Sequence, residues 1–273
     1  KLISLKMRVQ IPLGRFKVGT PRTSDGQLLF LQHMISKMEQ KGSRIGIVFN
    51  GSPLFTGDSG SGESEIRRWI IENDWLECIV SLPDRLFFNT GISTYVWIVT
   101  NKKSFQRKGK VQLINGSGFY EKLRKNLGEK SKEVSEQQRE ELIQSYLKFK
   151  ESDISKIFSN KSFGYTKITI EQPLLDDDGE IITDKKGNPK PNTKKRDYER
   201  VPLEQDIDDY YEREVKPHLP NSWMDRNKDK IGYEINFTKY FYEYKPLRSI
   251  KDITKDLLKL DMDIGDSMKK ILE

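Results

Sequence analysis

Apolar and polar positions along the first 118 residues follow the rhythm of a layered α/β domain. The opening 26 residues are irregular, broken by Pro12, Gly14, Gly19, Pro21 and Gly26. Ser24 or Asp25 is placed to N-cap the run Leu28–Met38, which reads as a mostly buried helix ended by Gly42. Arg44–Asn50 is a short apolar run, read as a buried strand, and a Gly/Ser-rich loop follows to Gly62. Ile66, Trp69 and Ile70 share one face of a second helix over Glu63–Asn73. Glu77–Leu82, stopped by Pro83, is the second strand; Thr94–Thr100 is the third and Lys110–Ile114 the fourth. Near-continuous apolar strands between helices predict an α/β fold with a mostly parallel sheet.

The rhythm changes after residue 118. Phe119–Phe158 reads as helical and strongly charged, and residues 161–205 as a β-rich or irregular insert with turn signals at Asp178-Gly179 and Lys186-Gly187-Asn188-Pro189. Residues 206–217 predict a short acidic helix. Near the end, Ile250, Ile253, Leu257, Leu260, Ile264 and Ile271 alternate three- and four-residue steps, with Ser267 in the remaining slot. That is a heptad seam, which serves either a helix packed on its own domain or one docked into a partner's helices. The expected division is 1–118, 119–245 and 246–273.

Charge adds a partner class. The 273 residues hold 48 Lys+Arg against 41 Asp+Glu, a net +7. Residues 1–50 and 101–150 each carry +7, whereas 51–100 carry −4 and the last 123 residues −3. Two basic blocks suit either a polyanion such as nucleic acid or a solvated lysine-rich surface. No apolar run approaches the ~20 residues of a membrane span, and residues 1–20 lack a signal-peptide pattern. One cysteine, Cys78, excludes an internal disulfide framework and fits a cytoplasmic protein. One cysteine with two histidines, His33 and His218, argues against a metal site. Lys1 in place of methionine points to a fragment or a processed product.

Most candidate chemistry fails on inspection. Gly57-Asp58-Ser59-Gly60-Ser61-Gly62-Glu63-Ser64 nearly matches a phosphate-binding loop, but Glu63 holds the lysine position and would repel phosphates. Pro83-Asp84 with Asp184-Lys185-Lys186 is a weak nuclease-like match. Cys78 and His33 both read as core residues. The segment Leu86-Phe87-Phe88-Asn89-Thr90-Gly91-Ile92 stands out, because adjacent aromatics at the mouth of a strand suit stacking on a nucleobase as well as ordinary core packing.

Several motifs in order carry a resemblance. Asp25-Gly26-Gln27-Leu28-Leu29-Phe30-Leu31-Gln32-His33-Met34, Asn50-Gly51-Ser52-Pro53-Leu54-Phe55, Gly62-Glu63-Ser64-Glu65-Ile66-Arg67 and Phe88-Asn89-Thr90-Gly91-Ile92 resemble the modification (M) subunit of type I restriction-modification systems. So do Phe163-Gly164-Tyr165, Arg196–Leu203 and Gly232-Tyr233-Glu234-Ile235. The resemblance runs from about Gly14 to the C-terminus. It implies an adenine-N6 DNA methyltransferase using S-adenosylmethionine and working with DNA, a specificity subunit and a restriction subunit. It also implies the second half of a Rossmann-like methyltransferase sheet followed by a mixed, largely helical C-terminal region.

The chain departs from this family in two places. Neither the Gly-rich cofactor loop nor the Asn-Pro-Pro-aromatic catalytic motif occurs in it. The expected catalytic set within the chain is therefore empty, and the chain is expected to be inactive alone. The resemblance assigns Phe88, or Phe87 beside it, with Asn89 to the wall of a flipped-adenine pocket. Asn50, Ser52 and Pro53 are expected on its rim, and the heptad residues are expected to dock the specificity subunit. The alternative is a non-catalytic assembly module that binds the specificity subunit and DNA.

Overall fold

The computed structural model describes residues 14–244 and 247–272, without the side chains of residues 263 and 265–272. Residues 1–240 and 241–273 form two units, each described by itself.

In the first unit, α1 (Gln27–Ile35) follows Gly26, and Asp25 Oδ1 accepts the Gln27 amide at 3.1 Å, so Asp25 serves the helix start from outside the cap. β1 (Arg44–Asn50), α2 (Ser52–Phe55) and α3 (Gly62–Glu72) come next, with the Ser61 hydroxyl accepting the Ser64 amide at the α3 N-cap. β2 (Leu76–Leu82), β3 (Thr94–Thr100) and β4 (Lys110–Asn115) complete the expected strands. The fold is mixed α/β.

The sheet is not mostly parallel. Its order is β1-β3-β2-β4-β7, with β7 at Ser155–Ser159. β3 lies antiparallel between β1 and β2, β7 is antiparallel to β4, and β2–β4 is the parallel pair. β1, β2 and β4 still point the same way. The reason is the β2–β3 link, residues 83–93, which contains no helix; a parallel neighbour needs a crossover of about a dozen residues or more.

Residues 119–158 are not one helical stretch. β5 (Glu121–Leu127) and β6 (Lys130–Glu133) form a hairpin, and α4 spans only Glu136–Lys148. Gly128 takes the left-handed φ of +62° that the hairpin turn requires. Ser135 and Gln138 form a capping box that fixes where α4 begins.

A second sheet gathers around β8 (Gly164–Glu171), with β9 (Asp197–Pro202), β10 (Trp223–Met224) and β11 (Lys230–Tyr233) all antiparallel to it. Between β8 and β9, residues 172–196 form a tongue of isolated bridges. Its two turns are closed by Asp176, which accepts the Asp178 and Glu180 amides, and Asp184, which accepts those of Lys186 and Asn188. The acidic helix α5 (Ile207–Tyr210) runs on into a π turn over Tyr211–Val215 and packs on Ile168, Ile170 and Val201. α6 (Phe237–Tyr240) closes the unit.

The main core lies around β2, β3 and β4, where Cys78, Ile79, Trp97, Val99, Val111, Leu113 and Ile114 are fully buried. Burial pushes the Cys78 thiol far up. β1 pairs only with β3 among the described residues, and its Gly46 and Val48 are exposed. In the second unit, α7 (Ile250–Leu272) presents Ile250, Ile253, Leu257, Leu260 and Ile264 as exposed side chains; the side chain of Ile271 lies outside the described residues. No helix among the described residues is long and apolar enough to cross a membrane.

Candidate functional site

Strand register brings the two expected pocket segments to one end of the sheet. Thr94, at the start of β3, pairs with Asn50 on one side and Leu82 on the other. The loop 83–93 therefore leaves and re-enters the sheet beside the Asn50 turn. Thr94 is buried, and its hydroxyl has no protein partner among the described residues.

Phe88 is 60% exposed, so its ring stands largely outside the core, and Phe87 beside it is 38% exposed. The Lys130 ammonium lies 5.3 Å from the centre of the Phe88 ring. Arg85 and Asn89 hold positive φ values of 53° and 58°. The left-handed conformation costs roughly 1–2 kcal/mol for an ordinary residue and less for Asn. Two amides, of Ser131 and Lys132, donate to the Arg85 carbonyl at 3.1 and 3.3 Å. At about 0.5–1.5 kcal/mol each, these bonds offset the strain at Arg85.

Asn50 and Ser52 are half-buried, and each is tied to its neighbours. The Gln27 side-chain oxygen accepts the Asn50 amide at 3.1 Å, and Asn50 Oδ1 accepts the Ser52 amide at 2.9 Å. Arg22 donates to the Ser52 hydroxyl at 3.0 Å. Pro53 is buried in α2 beside them.

The support converges on Arg67, a fully buried arginine whose motif the sequence shows but whose role it does not. Its guanidinium donates to the carbonyls of Tyr233 (2.6 Å), Pro53 (3.1 Å), Thr56 (2.8 Å) and Gly57 (3.3 Å). Burial lowers its pKa to about 10, against the opposing charge of Tyr165, Glu234 and Glu63. The Ser64 hydroxyl accepts the Tyr233 amide at 3.0 Å on the same helix face. The motifs at residues 50–55, 62–67 and 232–235 thus form one buried knot behind the Asn50 turn. The detectable signal was that Ser64, Arg67 and Ile71 recur at helical spacing beside an apolar stripe.

Other candidates separate. His33 is exposed and bonded to Arg15, because α1 buries Leu28, Leu29, Leu31, Gln32 and Ile35 and turns Phe30 and His33 outward. Asp84 pairs with Lys132 and Asp184 closes its own turn, which separates the nuclease-like elements. The Gly-rich stretch 57–62 does not fit S-adenosylmethionine or a phosphate. A side-chain carbon at Gly62 would lie 1.9 Å from the Thr20 carbonyl oxygen. Asp58 is paired with Lys167 and Arg200, and Glu63 accepts the Arg22 amide at 2.8 Å. Protein groups fill that loop.

Comparisons with known proteins agree on one kinship. The N-6 DNA Methylase family model matches residues 9–171. The HindI type I restriction enzyme methylase subunit of Haemophilus influenzae is 37% identical over 101 residues, covering 37% of this chain and 22% of that protein. The MjaIX methylase subunit of Methanocaldococcus jannaschii is 30% identical over 114 residues, covering 42% and 20%. The match thus spans about a fifth of the length of these relatives. Among solved structures, a type I restriction-modification methyltransferase subunit from Streptococcus thermophilus aligns with TM-score 0.49 at 24% identity, over 56% of this chain and 31% of that one.

Proposed function

The chain belongs to the N-6 DNA methylase family, and from that premise we propose that it supplies the base-side wall of an adenine-N6 DNA methyltransferase site and a docking tail for a specificity subunit. The observation that carries this reading is the convergence at Thr94, which sets the exposed Phe88 loop beside the Asn50 turn at one end of the sheet. An exocyclic amine is out of reach inside a duplex, so the target adenine must leave the stack. Phe88 offers that base an aromatic face, and Asn50 and Ser52 line the polar rim. In the reaction the amine takes the methyl group of S-adenosylmethionine. The groups that hold cofactor and amine come from residues other than these 273, since the chain contains neither motif. Among the described residues β1 is paired on one side, which gives further strands a place to extend the sheet. Alone, the chain is inactive.

Methyl transfer from tritiated S-adenosylmethionine to DNA by the assembled enzyme tests this. Base–aromatic stacking is worth about 1–3 kcal/mol, so Phe88→Ala is expected to slow transfer roughly 5- to 150-fold while the complex still assembles. Unchanged turnover removes Phe88 from the site.

The exposed seam of α7 favours a second reading, a non-catalytic module that joins a specificity subunit to DNA. Methyl transfer separates the two, because a module never contributes to turnover.

A further inference from the structure

The β5–β6 hairpin carries five basic and three acidic residues on a ribbon with almost no core-facing side. Lys122, Arg124 and Lys125 are exposed, and none of them has an ion pair among the described residues. Lys132, directly across from Lys122, is already answered by Asp84 and by the Tyr120 ring at 3.9 Å. A like-charged cross-strand pair disfavours a hairpin unless something opposes it.

The hairpin is fastened to the aromatic loop. The Ser131 and Lys132 amides hold the Arg85 carbonyl, Lys130 covers Phe88, and the turn lies against the loop. Glu129 Oε2 is 3.5 Å from where a side-chain carbon at Gly91 would sit, and Asn89 Oδ1 is 3.8 Å from the same position at Gly128.

We propose that this hairpin is a nucleic-acid arm, whose Lys122, Arg124 and Lys125 grip phosphates of the strand that presents its base to Phe88. The proposal rests on the methyltransferase reading above. Spaced cations without apolar anchors suit phosphates, whereas a protein interface is built on an apolar centre; Leu127 is the one exposed large apolar side chain on the ribbon among the described residues. The tongue is the weaker candidate, because its lysines share one ribbon with five acidic residues, Asp176, Asp177, Asp178, Glu180 and Asp184, against three on the hairpin.

The test titrates the full chain into a short fluorescently labelled duplex of mixed sequence over a series of KCl concentrations, with no cofactor present. Circular dichroism confirms that the variants fold, which exposed side chains favour. Each phosphate contact contributes about 0.9 to the slope of log K against log salt. The variant Arg124→Gln/Lys125→Gln is expected to flatten the slope by about two, whereas Lys185→Gln/Lys186→Gln on the tongue leaves it unchanged. An unchanged slope in the hairpin variant overturns the proposal, as does absence of wild-type binding at about 20 mM KCl. The outcome stays separate from that of the pocket. Unchanged turnover in Phe88→Ala fails the base reading, while the salt slope still reports on the arm.

Discussion

Replacing Arg67 by methionine would strand four backbone carbonyls that its guanidinium now satisfies. A buried acceptor left unpaired costs roughly 1–3 kcal/mol, so Arg67→Met is expected to destabilise the first unit by at least ~3 kcal/mol. The midpoint of urea unfolding reads this directly, and an unshifted midpoint would mean that water replaces the arginine at little cost. Lysine cannot reproduce the planar fork, so Arg67→Lys should fall between wild type and methionine. The motif containing Arg67 is visible in the sequence but its role is not, because its partners are main-chain atoms from segments more than 160 residues apart. His33 failed for the opposite reason. It stands in an apolar run, yet α1 buries one face only.

At the scale of elements, β1, β2, β3 and β4 were legible because apolar runs of strand length bounded by Gly, Asn and Pro leave little choice. The hairpin was not. Glu121–Glu133 is rich in residues that favour helices, and tertiary attachment to the Arg85 loop overrides that preference. Sheet direction was hidden as well, since it depends on what fills the link between β2 and β3. The α7 seam is the reverse case, a pattern the sequence showed in full. Its burden is tested by Leu257→Asp/Leu260→Asp, which is expected to abolish co-elution with a specificity subunit in gel filtration. A complex that survives would place those leucines outside the interface. Both side chains are more than half exposed, so the helix itself should persist in the variant.

For the molecule as a whole, chemistry and scaffold are divided unequally. The 273 residues carry an exposed aromatic loop beside the Asn50 turn, a basic ribbon and a helical tail, but the Gly-rich loop at 57–62 is occupied by Thr20, Arg67, Lys167 and Arg200. Calorimetric titration of the chain with S-adenosylmethionine is therefore expected to give no saturable heat. Micromolar binding would show that a cofactor site exists within these residues. The two basic blocks suited a polyanion and a solvated surface equally, and the sequence does not say which cations are left over. That depends on pairings such as Lys132 with Asp84 and Lys167 with Asp58, which only the folded arrangement decides.

The sealed position of Cys78 has a practical consequence. It is the sole cysteine of the chain, fully buried in a cluster with Ile114 and Leu142, with a thiol that resists ionisation. The thiolate is the reactive form, so maleimides and spin labels should pass it by in the folded protein. A cysteine introduced on the hairpin turn or on the exposed face of α7 becomes a unique attachment point without removing the native one. Spectroscopic rulers placed there would follow the ribbon and the tail separately as DNA or a partner subunit arrives.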